Sequence, residues 1–270
     1  MYDELMAESI PVVGIARNRK GVSTSSTAQF FELDAHNSSA LRDLIKKDTT
    51  LVHCARPEIL TSLLGLNPDI HRLIALGSTR IYTQFPDEKY AQLVQMSEAI
   101  WRSNINASLL HPTMIYGAPG LNNIERVIRV ARVSPFIPLP NNGEALIQPV
   151  SANDVVRAIR ACIRNKMTIG KTITVPGKKP ITYRRFIELC LKYAGIKSRI
   201  ISVPFTFLSF LAHLTRLLPG MPTIKQEEIR RLLEDKDYST EGLKPLGLEP
   251  TEIEKGLRLL QLNNGVKHQL

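Results

Sequence analysis

No stretch of this 270-residue chain offers the roughly 18 consecutive uncharged apolar residues of a membrane-crossing helix. Its most apolar segment, Val203 to Leu218, is too short and carries His213 and Arg216. Cysteine is scarce: Cys54, Cys162 and Cys190 are odd in number and widely separated, which argues against a disulfide framework and fits reduced thiols. His53 and Cys54 have no partner at ligand spacing, so no metal site is expected. The first residues, Met1-Tyr2-Asp3-Glu4, hold acids where a secretory signal needs bases, and a cytoplasmic address is expected. Repeats and low-complexity tracts are lacking. The bases are not interleaved with aromatics, so nucleic acid is not an expected partner. Positive charge is abundant, with 35 Lys and Arg against 25 Asp and Glu, a net +10. That excess favours anionic partners such as dinucleotides, nucleotide-sugars or acidic surfaces without choosing between them.

Short apolar runs alternate with helical patterns, the sign of a parallel sheet built from βαβ units. Residues 2 to 9 read as a helix, and strands are expected at Pro11–Ala16, Phe30–Asp34 and Leu51–Ala55, with a helix over Ser39–Lys47. A four-residue run, Leu73 to Leu76, ends in Gly77-Ser78-Thr79. It places hydroxyls at the carboxyl end of a buried strand, the edge where open parallel sheets bind ligands. A helix over Glu88–Arg102 precedes an apolar segment from Ala107 to Ile115 that ends in Tyr116-Gly117. Ser151 and Asp154 have capping-box spacing at the head of VVRAIRACIRNK, and Asp154 reads as structural. A strand at Thr172–Val175 leads to a helix capped by Thr182 and stopped by Gly195. The rest reads as mainly helical, with capping spacings at Thr223/Gln226 and Thr251/Glu254.

Several of these segments carry a resemblance. LIALGSTRIY with Tyr90, HPTMIYG, VVGIARN, FFELDAHN, LVHCA, QPVSANDVV and LKPLGLEPTEIEKGL together resemble the NAD-dependent epimerase/dehydratases, the extended branch of the short-chain dehydrogenase/reductases. The resemblance implies a Rossmann-like doubly wound parallel sheet over 1–176, with 121–149 contributing to the substrate side. A small, mainly helical substrate region would occupy 177–270. It puts Ser78 and Tyr90 in the catalytic places, and Asp34, Ala55 and His111 (which stands where the family commonly has arginine) beside the cofactor. Thr79, Tyr116 and Gly117 fall beside the substrate. A homodimer is usual for the family.

Two departures stand out. Val94 occupies the position four residues after Tyr90 where the family has lysine. A tyrosine, with an ordinary pKa of about 10, is a poor base at neutral pH without a nearby cation. Tyr90 is therefore either catalytic with another cation or a surface aromatic. Second, the family's first strand and glycine-rich phosphate loop have no counterpart in this sequence. Three explanations compete: a true start upstream of Met1, direct pairing of the flanking strands, or a strand from another chain. The upstream start is the expectation.

Arg17 lies in Arg17-Asn18-Arg19-Lys20, a segment without an acid, after the strand whose end separates NAD from NADP in such sheets. Arginine suits a 2′-phosphate, so NADP is favoured over NAD. The leading expectation is an NAD(P)-dependent epimerase, dehydratase or reductase acting on a nucleotide-sugar or similar polar, anionic carbonyl or alcohol compound. The alternative is a catalytically inactive dinucleotide-binding or scaffolding subunit of a larger complex.

Overall fold

The computed structural model describes residues 10–18, 29–117, 122–207 and 230–267. The chain forms two interleaved compact units: Met1–Gly77 with Gln92–Leu109 and Cys162–Lys171, and Ser78–Ala91 with Leu110–Ala161 and Thr172–Leu270. No described helix is long and apolar enough to cross a membrane. The expected helix over 2–9 and the Thr223/Gln226 cap lie outside the described residues.

The first unit is built on parallel strands. β1 (Val13–Ala16) pairs with β2 (Gln29–Glu32), and β3 (Thr50–His53) pairs with β4 (Arg72–Leu76). β3 and β4 belong to a four-stranded parallel sheet of order β10-β5-β4-β3, where β5 is Ala107–Pro112 and β10 is Lys171–Val175. All six residues of β5 are buried, as a strand covered on both faces requires. Among the described residues β1 and β2 form a sheet of their own, without a pairing to β3. α1 (Ser38–Asp43) follows β2; α2 (Pro57–Leu64), between β3 and β4, buries Ile59, Leu60, Leu63 and Leu64. α3 (Glu88–Arg102) buries Leu93, Met96 and Ile100, one stripe at helical spacing.

A buried arginine ties this unit together. Arg72 opens β4, one residue before the apolar run that marks the strand in sequence. Its guanidinium donates to Asn106 O at 3.0 Å, Ser108 Oγ at 2.8 Å, Cys162 O at 3.2 Å and Thr168 Oγ1 at 2.8 Å. These acceptors are carbonyl and hydroxyl dipoles, without a carboxylate among them. Burial lowers the Arg72 pKa, and the planar fork spreads the charge over partners distant in sequence.

The second unit packs helices against short strand pairs. α4 (Asn122–Val133) precedes β7 (Phe136–Pro140), β8 (Leu146–Ile147) and β9 (Val150–Ser151). α5 (Ala152–Arg164), β11 (Ile181–Thr182), α6 (Tyr183–Ala194), β12 (Arg199–Val203) and α7 (Ile253–Lys267) follow. β6 (Ile115–Tyr116) runs parallel to β9, β7 parallel to β12, and β8 antiparallel to β11. Tyr116, Val127, Ile137, Leu139, Phe186, Ile187 and Leu257 share one core.

The caps follow local chemistry. Thr182 Oγ1 accepts from Arg185 N at 3.1 Å, and Gly195 ends α6 at φ 66°. Ser151 Oγ accepts from Asp154 N at 3.0 Å, and Asp154 is structural as expected. Its carboxylate accepts from Thr251 N at 2.8 Å and Thr251 Oγ1 at 3.0 Å, pinning the approach to α7. Thr251 is thus engaged by Asp154, although its spacing to Glu254 suggests a capping box. Residues 231–250 form 3-10 turns and extended chain where helix was expected, and the single segment expected over Ala107–Ile115 is split at Thr113 into β5 and β6.

Replacing Arg72 with alanine leaves Ser108 and Thr168 without their shared donor. It is expected to cost about 3 kcal/mol in urea unfolding, and Arg72→Lys should recover only part. Unchanged stability of Arg72→Ala would contradict this role.

Candidate functional site

The turn after β4 carries the candidate chemistry within the second unit. Ser78 caps a 3-10 turn over Thr79–Tyr82, its Oγ accepting from Arg80 N at 3.2 Å. That uses one lone pair and leaves the hydroxyl proton available to donate. The Ser78 amide donates to His111 Nδ1 at 3.1 Å. A ring nitrogen accepting from an amide carries no proton, so His111 is neutral with hydrogen on Nε2. Burial pushes its pKa down to about 4.

Around this bond the turn is held from several sides. Thr79 is buried, and its hydroxyl donates to Pro112 O at 3.4 Å. The Tyr82 ring meets His111 edge-on at 5.6 Å and lies 6.1 Å from the Tyr238 ring. Tyr238 Oη donates to Thr79 O at 3.5 Å. Tyr82 is half exposed, so the aromatic group has one open side. Glu234 accepts from Thr83 Oγ1 at 3.0 Å and Gln84 N at 2.6 Å.

Asp87 closes the turn and starts α3. It pairs with Arg80 and with Arg231, the latter at 2.6 Å, and accepts from Tyr90 N at 3.0 Å. Burial acts to raise its pKa; the Arg80 hydrogen bond, the Tyr90 amide and the two guanidinium charges outweigh it and hold the group at about 2. Two guanidiniums against one carboxylate give this cluster a formal surplus of positive charge beside the first turn of the helix bearing Tyr90, a turn that also carries Glu88. Tyr90 is partly buried, and its hydroxyl makes no hydrogen bond among the described residues.

The remaining expected site residues are placed as follows. Tyr116 is fully buried; its hydroxyl has no hydrogen-bond partner among the described residues and faces Gly256 of α7, where a Cβ would collide with it. Gly117 adopts φ 87° with Leu260 against it. Residues 118–120 of the same turn lie outside the described set. In the first unit Arg17 and Asp34 stand exposed just beyond the carboxyl ends of the paired strands β1 and β2, and the Arg17 charge is felt at Asp34. Asp34 accepts from His36 N and Nδ1, the main reason its pKa is lowered. Ala55 is exposed two residues after β3. Sequence reasoning singled out Ser78, Thr79, Tyr90 and His111, which the second unit contains. It missed Tyr82, Asp87, Arg231, Glu234 and Tyr238; only the aspartate three residues before Tyr90, at a helix start, carried a readable signal.

Similar folds occur among solved structures. A nucleoside-diphosphate-sugar epimerase from Staphylococcus aureus is 16% identical at TM-score 0.70, with 95% of this chain and 94% of that one covered. UDP-glucuronic acid 4-epimerase from Bacillus cereus, in complex with UDP-glucuronic acid and NAD, is 14% identical at TM-score 0.70, covering 98% and 94%. MoeE5, in complex with UDP-glucuronic acid and NAD, is 15% identical at TM-score 0.74, covering 99% and 94%. No protein-family model and no curated protein sequence matches the chain. The chain therefore has the Rossmann-like α/β fold of NAD-dependent nucleotide-sugar epimerases and dehydratases, and at these identities the likeness is one of fold.

The folded His111 pKa of about 4 lies below its ordinary 6.5. The unfolded chain therefore binds a proton first as pH falls, and stability is lost from about pH 6.5 down to about pH 4. His111→Asn, which keeps an acceptor near the Nδ1 position, should lose about 2 kcal/mol less than the parent between about pH 7.5 and pH 5 in urea titrations. Equal losses would show that His111 is not held neutral.

Proposed function

We propose that the protein is an NAD(P)-dependent epimerase, dehydratase or reductase of nucleotide-sugars or similar polar carbonyl and alcohol compounds. The observation that carries this reading is the Ser78 hydroxyl, held just past the carboxyl end of a central parallel strand, its proton without an acceptor among the described residues. Such a hydroxyl can bond a substrate oxygen and steady the charge that develops there. Tyr90, in the next helix, is assigned the donation or acceptance of that oxygen's proton. The Arg80–Asp87–Arg231 cluster, with its net positive charge, is the candidate for the field that lysine supplies at the position of Val94.

A nicotinamide dinucleotide, when bound, supplies the hydride chemistry. The exposed ends of β1, β2 and β3 fit its adenosine end. Arg17 would meet a 2′-phosphate, Asp34 the adenine side, and Ala55 would let the ligand approach the backbone. The acid-free Arg17–Lys20 segment supports NADP over NAD. The pyrophosphate has no glycine-rich cradle in these 270 residues.

A second reading, a dinucleotide-binding or scaffolding subunit without turnover, is supported by Val94. The two separate on Tyr90→Phe and Ser78→Ala, assayed for NADPH oxidation with UDP-sugar ketones and for folding by circular dichroism. The test is run on this chain and on one with in-frame upstream codons appended. The enzymatic reading predicts that Tyr90→Phe lowers kcat at least about 100-fold with the fold intact. Turnover by the parent that survives Tyr90→Phe unchanged would remove Tyr90 from the mechanism; absence of turnover in both chain lengths would favour the scaffold.

A further inference from the structure

We infer that the face formed by the last turn of α4 and the strand pair β7–β12 docks on membrane surfaces rich in acidic phospholipid. The register sets Phe136 opposite Arg199 and Pro138 opposite Ile201. Alternation along β7 turns Ile137 and Leu139 into the core and leaves Phe136 and Pro138 exposed. Phe136 is 47% exposed, Ile201 40% and Val133, on the last turn of α4, 84%. Ser198 Oγ donates to Ala131 O at 3.0 Å and Ser134 O at 3.1 Å, and Arg199 N to Pro135 O at 2.8 Å. These bonds bring the end of α4, with Arg132 and Val133, to the start of β12.

The sequence that supplies this face is rich in bases. Between Glu125 and Glu144 the chain has three arginines and no acid; between Glu188 and Glu227 it has five lysines and arginines and no acid. β7 and β12 come from these two acid-free stretches. Arg129, Arg132, Lys197 and Arg199 have no ion-pair partner among the described residues, and all four are exposed. Exposed apolar side chains ringed by unneutralised bases match the boundary between anionic headgroups and acyl chains. A second copy of this chain would bring the same charge to the contact and be repelled. Nucleic acid would use the bases but leave Val133 and Ile201 without a role.

The test is co-sedimentation of the full chain with phosphatidylcholine vesicles, with and without phosphatidylglycerol. The protein should pellet with the anionic vesicles only, and be released by high salt. Arg132→Ala and Arg199→Ala should each lower partitioning about fivefold. The double variant Phe136→Ser/Ile201→Ser should lower it further while leaving circular dichroism unchanged. Failure to pellet with anionic vesicles, equal pelleting with neutral ones, variants that bind like the parent, or duplex DNA that displaces the vesicles at equal charge would each overturn the proposal.

Discussion

The hydrogen bond from the Ser78 amide to the buried Nδ1 of His111 is the constraint on which the candidate site depends. It joins the first residues after β4 to the end of β5, and it works only while the imidazole is neutral. The rest of the turn adds to it: Thr79 to Pro112 O, Tyr238 to Thr79 O, Glu234 to Thr83 and Gln84, and Asp87 to two arginines. Each group has a partner, which is what a partly buried polar network needs in order to specify one geometry. The orientation of the Ser78 hydroxyl follows from that network.

The same turn delivers Tyr90. Asp87 caps the start of α3 through the Tyr90 amide and gathers Arg80 and Arg231 at that end. Val94 stands four residues past Tyr90 on the same helix. Arg80 on the turn and Arg231 both pair with Asp87 ahead of Tyr90. In the first unit, Arg17 and Asp34 stand exposed beyond the ends of β1 and β2, close enough for the arginine charge to be felt at the carboxylate.

Much of the framework was legible because its signals are local. The run Leu73–Leu76, the stripe Leu93, Met96 and Ile100, and the caps Ser151, Thr182 and Gly195 are set by residues within a few positions of each other. Arg72 was not legible as a strand residue, because a charge ahead of an apolar run reads as loop; its acceptors lie 34 to 96 positions away. The prolines of PFIPLP demote it as a strand, yet they are tolerated in a two-stranded pair. RLLEDKDY, residues 231–238, reads as a solvated run of charge, while Arg231 reaches Asp87 across 144 positions. The spacing of Thr251 and Glu254 suggested a cap for the same reason in reverse: a competitor, Asp154, stands 97 positions earlier.

The account is tested most directly by nitrogen-15 NMR of the His111 ring from about pH 7 to about pH 5. It predicts one neutral tautomer, protonated at Nε2 and bare at Nδ1, with no titration over that range. A ring protonated at Nδ1, or one that titrates near its ordinary value of about 6.5, would mean that the Ser78 amide is not anchored there and that the site has another organisation.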